Sequence, residues 1–187
     1  EKQGTPTMGG LLILLATTLP FVILSSRSTE AMVVLFVTLA CGAIGFLDDF
    51  MKIVKKRSLG LPARWRMLGL LAISGALVYV AVEVVGLPTT LNVPVVDRAV
   101  EIGAYAFLLI VFLVVAGAAN AVNLTDGLDG LAAGIAAIVL LSYTAIAFVS
   151  GQMDLAIFGA TLVGACVGFL WFNSFPAGVF MGDTGSY

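Results

Sequence analysis

Histidine is absent from the 187 residues, which removes the side chain that most often serves as acid, base or transition-metal ligand near neutral pH. Cysteine is nearly absent too. Cys41 and Cys166 each sit inside an apolar run, far from any Cys-x-x-Cys spacing, and read as small packing hydrophobes rather than a disulfide or metal site. Charge is scarce: Asp, Glu, Lys and Arg make up 11% of the chain, against about a quarter in a soluble domain. With 60% hydrophobic residues and a mean hydropathy of +1.12, there is not enough charge for a water-facing skin. Lipid is the expected solvent. No broad basic face exists and the polar sites are mostly acidic, which argues against nucleic-acid binding. Any chemistry must run on carboxylates, amides, hydroxyls and lysine, a donor set suited to a hard cation such as Mg²⁺.

A hydrocarbon core about 30 Å thick takes roughly 17 to 25 apolar residues per helix. Six stretches fit, at approximately 8–24, 31–47, 67–87, 104–122, 131–149 and 157–172. The expected fold is therefore all-α, a polytopic integral membrane helical bundle of about six transmembrane helices, with 1–187 forming one partial transmembrane domain. Pro20 is expected to kink the first span, which is tolerated where neighbouring helices cover the freed carbonyl. A signal-peptide core is the alternative for that span, but no cleavage pattern follows it and five more spans come after. Residues 48–66 carry Lys52, Lys55, Lys56, Arg57, Arg64 and Arg66, so the positive-inside rule places this loop in the cytoplasm. Counting outward, segments 1–7, 48–66, 123–130 and 173–187 face the cytoplasm and hold seven of the nine basic residues. Segments 25–30, 88–103 and 150–156 face out, with only Arg27 and Arg98.

Every stretch with chemical character then falls on the cytoplasmic side: "KQGTPTMGG", the pair Asp48–Asp49, "NLTDGLDG" and "NSFPAGVFMGDTGS". Asp48 and Asp49 follow "GAIGFL" directly and are expected at the end of the second helix, where the backbone dipole disfavours negative charge. A cation, either Mg²⁺ or a lysine, would relieve them; simple pairing with the basic run is the blander reading. Asp126 and Asp129 share one face if the fifth helix has begun by Asp126, and Gly127 and Gly130 allow tight turns. Capping by Thr125, Asp126 or Asp129 is the alternative, although a cap needs one residue and Asn120, Asn123, Thr125, Asp126 and Asp129 offer five. Asp183 lies between Gly182 and Gly185, in a loop able to bring N–H groups and a carboxylate to a metal-bound phosphate, or simply to turn in solvent. Lys2, Thr5 and Thr7 among glycines suggest an anion-binding loop that enters a helix. Glu83 reads as a snorkelling or capping charge. Trp65, Trp171, Tyr79, Tyr105 and Tyr143 read as interface anchors or packing residues. Phe180 is placed where its ring could stack on a base.

Taken together, "GTPTMGG", "GFLDDFMKIVKKRSLGLPARWR", "NAVNLTDGLDGLAAG" and "FLWFNSFPAGVFMGDTGS" resemble the phospho-N-acetylmuramoyl-pentapeptide transferases, within the polyprenyl-phosphate N-acetylhexosamine-1-phosphate transferase superfamily. The resemblance spans nearly the whole chain. It implies a Mg²⁺-dependent multi-pass enzyme of the bacterial cytoplasmic (inner) membrane, with its active site facing the cytoplasm. The implied reaction moves phospho-MurNAc-pentapeptide from its UDP-activated nucleotide to undecaprenyl phosphate, giving lipid I and UMP for peptidoglycan synthesis. On the matching positions it implies Asp48, Asp49 and Asp183 as catalytic residues. Asp48 would be the base that deprotonates or orients the lipid phosphate, and Asp183 with Asp49 would bind the metal. Asn123 and Asp126 would line the nucleotide-sugar site. Lys2, Gly127, Leu128, Asp129 and Phe180 would form the uridine pocket, and Thr7 and Asn173 would complete the polar wall. Direct attack and a covalent aspartyl intermediate both stay open, as does pairing of two copies into a homodimer.

The resemblance also implies further spans on both sides and a histidine-rich cytoplasmic loop, so this sequence is expected to be a piece of a longer chain and inactive alone. Three rival readings make different demands. A sister transferase would use UDP-N-acetylglucosamine. A cation-coupled transporter would need polar residues at mid-membrane depth and broken helices. A non-catalytic scaffold would leave Asp126, Asp129 and Asp183 free to vary.

Overall fold

A computed structural model describes residues 6–56, 60–93 and 98–187. Six apolar helices dominate it: α1 (Gly10–Leu24), α2 (Thr29–Lys55), α3 (Ala63–Tyr79), α4 (Gly103–Thr125), α5 (Leu131–Val149) and α6 (Met153–Asn173), followed by a single turn, α7 (Asp183–Ser186). A π-helical turn, Val80–Val84, extends α3 and carries Glu83. Five of these segments are long and apolar enough to cross a membrane. At 15 residues, α1 is about 22 Å long, short of a full hydrocarbon core. The chain is thus a helical, multi-pass membrane protein.

The outer faces of the helices are oily. On α1 alone, Leu12, Leu15, Leu19 and Ile23 are all exposed, a belt that a water-soluble monomer does not carry. Tyr105 and Trp171 stand exposed near the ends of α4 and α6, where amphipathic rings anchor a helix at the headgroups. The interior is built from small residues. Ala132, Ala133 and Ala137 of α5 pack with Ala165, Cys166 and Phe169 of α6, and such side chains let helix backbones approach closely. Cys41 packs with Leu70, Ile73, Ala116 and Ala119, so both cysteines are buried packing residues. A third cluster joins Phe21, Ala31, Leu35 and Phe158, with the two rings edge to face at 5.5 Å.

Four features depart from the sequence-based expectation. Helix α2 does not stop near Leu47 but runs on to Lys55 and closes with Lys56 in the left-handed region. Asp48 and Asp49 therefore lie inside the helix, not at its negative end. Helix α4 likewise continues through Thr125, so Asn123 is helical and Asp126 is the residue that follows the last turn. Helix α5 spans Leu131–Val149 as the apolar run predicts, but it follows Gly130 at φ +77° with no side-chain cap, which removes both the earlier start and the capping alternative. Asp126 and Asp129 thus sit in the connecting turn and do not share the first turn of α5, and neither they nor Thr125 caps it. Finally, segment 88–103 holds an antiparallel hairpin, β1 (Thr90–Val93) with β2 (Arg98–Glu101), in which Thr90 faces Glu101 and Leu91 faces Val100.

Candidate active site

Three of the polar stretches converge because glycines let backbones touch. Gly45 of α2 faces the carbonyl of Asp183, and a Cβ there would overlap it. Gly10 of α1 faces the backbone of Gly185 in the same way. These contacts seat α7 against the start of α1 and the second half of α2. Asp49 then ties it down: Oδ1 accepts from the Asp183 N–H at 3.1 Å, and Oδ2 accepts from the Thr184 N–H at 2.8 Å and the Thr184 hydroxyl at 2.6 Å. A carboxylate receiving N–H groups at the start of a helical turn is a favourable arrangement, and here it is 5% exposed.

Asp48, 1% exposed, points toward the same place. Its Oδ1 accepts from the Leu61 N–H at 2.7 Å, in the chain that leads into α3, and Gly60 leaves room for the carboxylate. Its Oδ2 accepts no hydrogen bond, although the Lys52 ammonium lies 2.6 Å away in off-axis ion contact. Lys52 comes one helical turn after the acidic pair, so α2 itself delivers it. Its Nζ also donates to Asp183 Oδ2 at 2.8 Å and stands 3.9 Å from Asp49 Oδ1. From α4, Asn123 Nδ2 donates to Asp183 Oδ1 at 2.9 Å and to the Ser186 hydroxyl at 2.8 Å. Arg66 of α3 approaches Asp183 Oδ2 to 4.0 Å. Burial pushes the Asp183 carboxyl upward, but hydrogen bonds with Asp48, Lys52 and Asn123 and the charge of Lys52 outweigh it and hold the group below the usual carboxylate range.

One oxygen from each of Asp48, Asp49 and Asp183 lies within 4.8 Å of the other two. Three acids beside the Lys52 ammonium, with the Arg66 guanidinium 4.0 Å from Asp183, still outnumber the cations around them, and a further positive charge would relieve them. The donor set is all oxygen, and Asp48 Oδ2 is a buried lone-pair site with no hydrogen bond. The cluster therefore fits a hard divalent cation.

The remaining candidate residues lie on loops that are stitched together beside this centre. Residues 6–10 pair with 180–181: the Phe180 N–H donates to the Pro6 carbonyl, Gly9 to Phe180, and Gly10 to Met181, each at 2.9 Å. Thr7, exposed, is in this strip. Asn173 is 2% exposed and acts as a clamp. Its Oδ1 accepts from the Gly130 N–H at 3.0 Å, and its Nδ2 donates to the Val179 carbonyl at 2.9 Å. Asp129 Oδ2 accepts from the Ala177 N–H at 3.1 Å, so both side chains join the 126–130 turn to the 174–180 loop. Gly127 and Leu128 are exposed on that turn, while Asp126 and Phe180 are half-buried. Lys2 and Thr5 lie outside the described residues. The cavity of about 520 Å³ between α1 and α6, lined by residues such as Leu12, Pro20, Gly164 and Phe172, shares none of these side chains.

The structure adds partners that the motifs did not single out. Lys52 and Arg66 count in the sequence only toward the basic loop. Helical spacing from Asp48 to Lys52 was the available signal for the first. Arg66 Nη1 donates to the Tyr187 hydroxyl at 3.0 Å, and that hydroxyl donates to Asn120 Oδ1 at 3.4 Å. Burial raises the Tyr187 phenol above its ordinary value, which keeps it a neutral donor.

A lipid-embedded helical bundle that gathers carboxylates from distant segments at one end defines a polytopic membrane protein with an interfacial acidic centre. Residues 31–187 match the family model described as glycosyl transferase family 4, and the chain belongs to that family. Residues 2–14 match the model described as phospho-N-acetylmuramoyl-pentapeptide-transferase signature 1. Over its full length the chain is 47% identical to the phospho-N-acetylmuramoyl-pentapeptide-transferase of Geobacillus sp. (strain WCH70). It is 46% identical to that of Anoxybacillus flavithermus and 43% identical to that of Bacillus subtilis (strain 168). It spans 58% of the length of each of these relatives.

Proposed function

We propose that the full-length protein is a Mg²⁺-dependent phosphoglycosyl transferase of the bacterial cytoplasmic membrane. It moves phospho-MurNAc-pentapeptide from UDP to undecaprenyl phosphate, with lipid I and UMP as products. The observation that carries this reading is the meeting of Asp48, Asp49 and Asp183 in a chain so similar to transferases of that name. The match of residues 2–14 to the muramoyl-pentapeptide signature favours this sugar donor over UDP-N-acetylglucosamine. The grouping of acids at one end of the bundle disfavours a transporter, whose cation sites belong at mid-depth.

Phosphoryl transfer between two polyanions requires alignment and charge neutralisation more than covalent help. Bound Mg²⁺ supplies that neutralisation to the diphosphate. Asp183 and Asp49 would hold it, with Asp48 Oδ2 within reach. Asp48, fixed by the Leu61 N–H, is positioned to orient the lipid phosphate or take its proton. Asn123 sets the Asp183 carboxylate, and Asp126 extends the polar wall from the end of α4. The stitched loops bearing Thr7, Gly127, Leu128, Asp129, Asn173 and Phe180 would form the nucleoside side, and Lys2, assigned to the uridine pocket on its motif alone, lies outside the described residues. A water-soluble nucleotide and a membrane lipid can meet only at an interface, and the bias of basic residues supports the cytoplasmic one.

The deciding assay supplies purified full-length protein with undecaprenyl phosphate and either UDP-MurNAc-pentapeptide or UDP-N-acetylglucosamine. UMP should appear only with the first, and only with Mg²⁺ present. Release from the second nucleotide alone would reassign the enzyme to a sister branch.

A further inference from the structure

We infer that Lys52 is a resident cation that the divalent ion displaces, its ammonium holding the carboxylates together when the ion is away. This rests on the metal-centre reading above. The Lys52 Nζ touches the oxygens an ion would need: Asp48 Oδ2 at 2.6 Å, Asp183 Oδ2 at 2.8 Å and Asp49 Oδ1 at 3.9 Å. An ion binding carboxylate oxygens at about 2.0–2.1 Å and an ammonium at these distances cannot occupy the same point. One must leave.

The surroundings decide which group moves. Asp48 is pinned by Leu61, and Asp49 by Asp183 and Thr184; Asp183 is held by Asn123 and by the seating of α7 against Gly45. Lys52 is one-third exposed, at 33% of its side chain, and rides on a flexible four-carbon stem near the end of α2. It alone can swing away without unmaking backbone contacts. Without either cation, three carboxylates would crowd one point, which is unfavourable; with the lysine there, the site is preformed. The released ammonium stays tethered near Arg66, itself 4.0 Å from Asp183. Two cations then flank the place where substrate phosphates must lie.

The test uses full-length wild-type protein and an amine-reactive reagent, with each lysine followed by mass spectrometry. Adding Mg²⁺ or Mn²⁺ should raise modification of Lys52 several-fold, while the exposed Lys55 and Lys56 change little. Unchanged or slower modification of Lys52 overturns the exchange. Independently, Lys52→Met should bind Mn²⁺ about tenfold more tightly in an electron paramagnetic resonance titration, because no ammonium has to be expelled; equal or weaker binding also overturns it. Asp183→Asn separates the two levels of the argument. If it abolishes Mn²⁺ binding while Lys52 of the wild type, which does bind the ion, is modified no faster in its presence, the metal centre stands and the exchange fails. If neither wild type nor Lys52→Met binds Mn²⁺, both fail.

Discussion

Asp49 and Asp154 perform the same structural task at opposite ends of the bundle. Asp49 gathers the N–H groups of Asp183 and Thr184; Asp154, in the first turn of α6, gathers those of Ser26 and Ser28 in the link from α1 to α2. Helix α6 has 21 residues, so the two ends are about 30 Å apart. The surroundings differ entirely. Asp154 works alone. Asp49 shares its position with Asp48, Asp183 and Lys52, all within ion-pair reach, and it is buried. One carboxylate therefore suffices to pin a segment in this protein. The two further acids beside Asp49 exceed what such an anchor needs, and their crowding brings mutual repulsion and desolvation that Lys52 only partly offsets. Charge concentrated where it is unfavourable marks a site under chemical demand.

That contrast breaks most readily at Asp183. In the full-length protein, Asp183→Asn should lower UMP release on the order of 10³-fold, about 4 kcal/mol of barrier, while the melting temperature falls by only a few degrees, the lost Lys52 ion pair being offset in part by relief of crowding among the acids. A parallel collapse of melting temperature would mean that Asp183 is an anchor like Asp154. Gly45→Ala should come next, with an activity loss of roughly 10²-fold, since its methyl would push α7 away from Asp49. Gly134→Ala is the control. A Cβ there meets nothing within 4 Å, and Ala in place of a mid-helix Gly should add about 0.5–1 kcal/mol of stability without changing turnover. Asn123→Ala removes hydrogen bonds to Asp183 and Ser186 and should slow turnover about tenfold, the size of losing one or two such bonds. Initial rates read at saturating Mg²⁺ check each of these.

The fold class and the acidic centre were legible in the sequence for different reasons. Lipid-facing helices leave long apolar runs, and the scarcity of charge made the remaining polar stretches conspicuous. The need of Asp48 and Asp49 for a cation was also legible, and Lys52 meets it. Helix ends were legible where an apolar run meets glycine or serine, as at 131–149 and at the close of α1, but not where charged residues continue a helix. The unbroken apolar run stops at Leu47, but the helix continues past Asp48 and Asp49 to Lys55, because hydrogen bonding along a helix does not depend on hydropathy. The hairpin at Thr90–Val93 and Arg98–Glu101 was hidden for another reason: strands of four residues that include Asn92, Ala99 and Glu101, types depleted in sheets, carry only a weak local pattern. The Arg66–Tyr187–Asn120 chain joins segments far apart in sequence, and no local spacing announces it. Asn173 and Asp129 carry a similar lesson. Their residue types suggested binding groups, whereas their visible partners are the N–H and carbonyl groups that join two loops.

The smallest effect belongs to the other end. Asp154→Ala frees the N–H groups of Ser26 and Ser28, which lie where water can replace the lost acceptor, so the melting temperature should fall by only a few degrees. Ser28 also caps α2, its hydroxyl accepting from the Ala31 N–H, and that cap remains in the variant. UMP release should stay within about twofold, because the backbone path from Ser28 to Asp48 is a continuous helix whose packing with Phe21 and Phe158 is untouched. Hydrogen exchange at Ser26 and Ser28 should accelerate while that at Thr184 does not. Acceleration at both would mean that the two ends are mechanically linked through α6, and the separation between anchoring at one face and chemistry at the other would have to be abandoned.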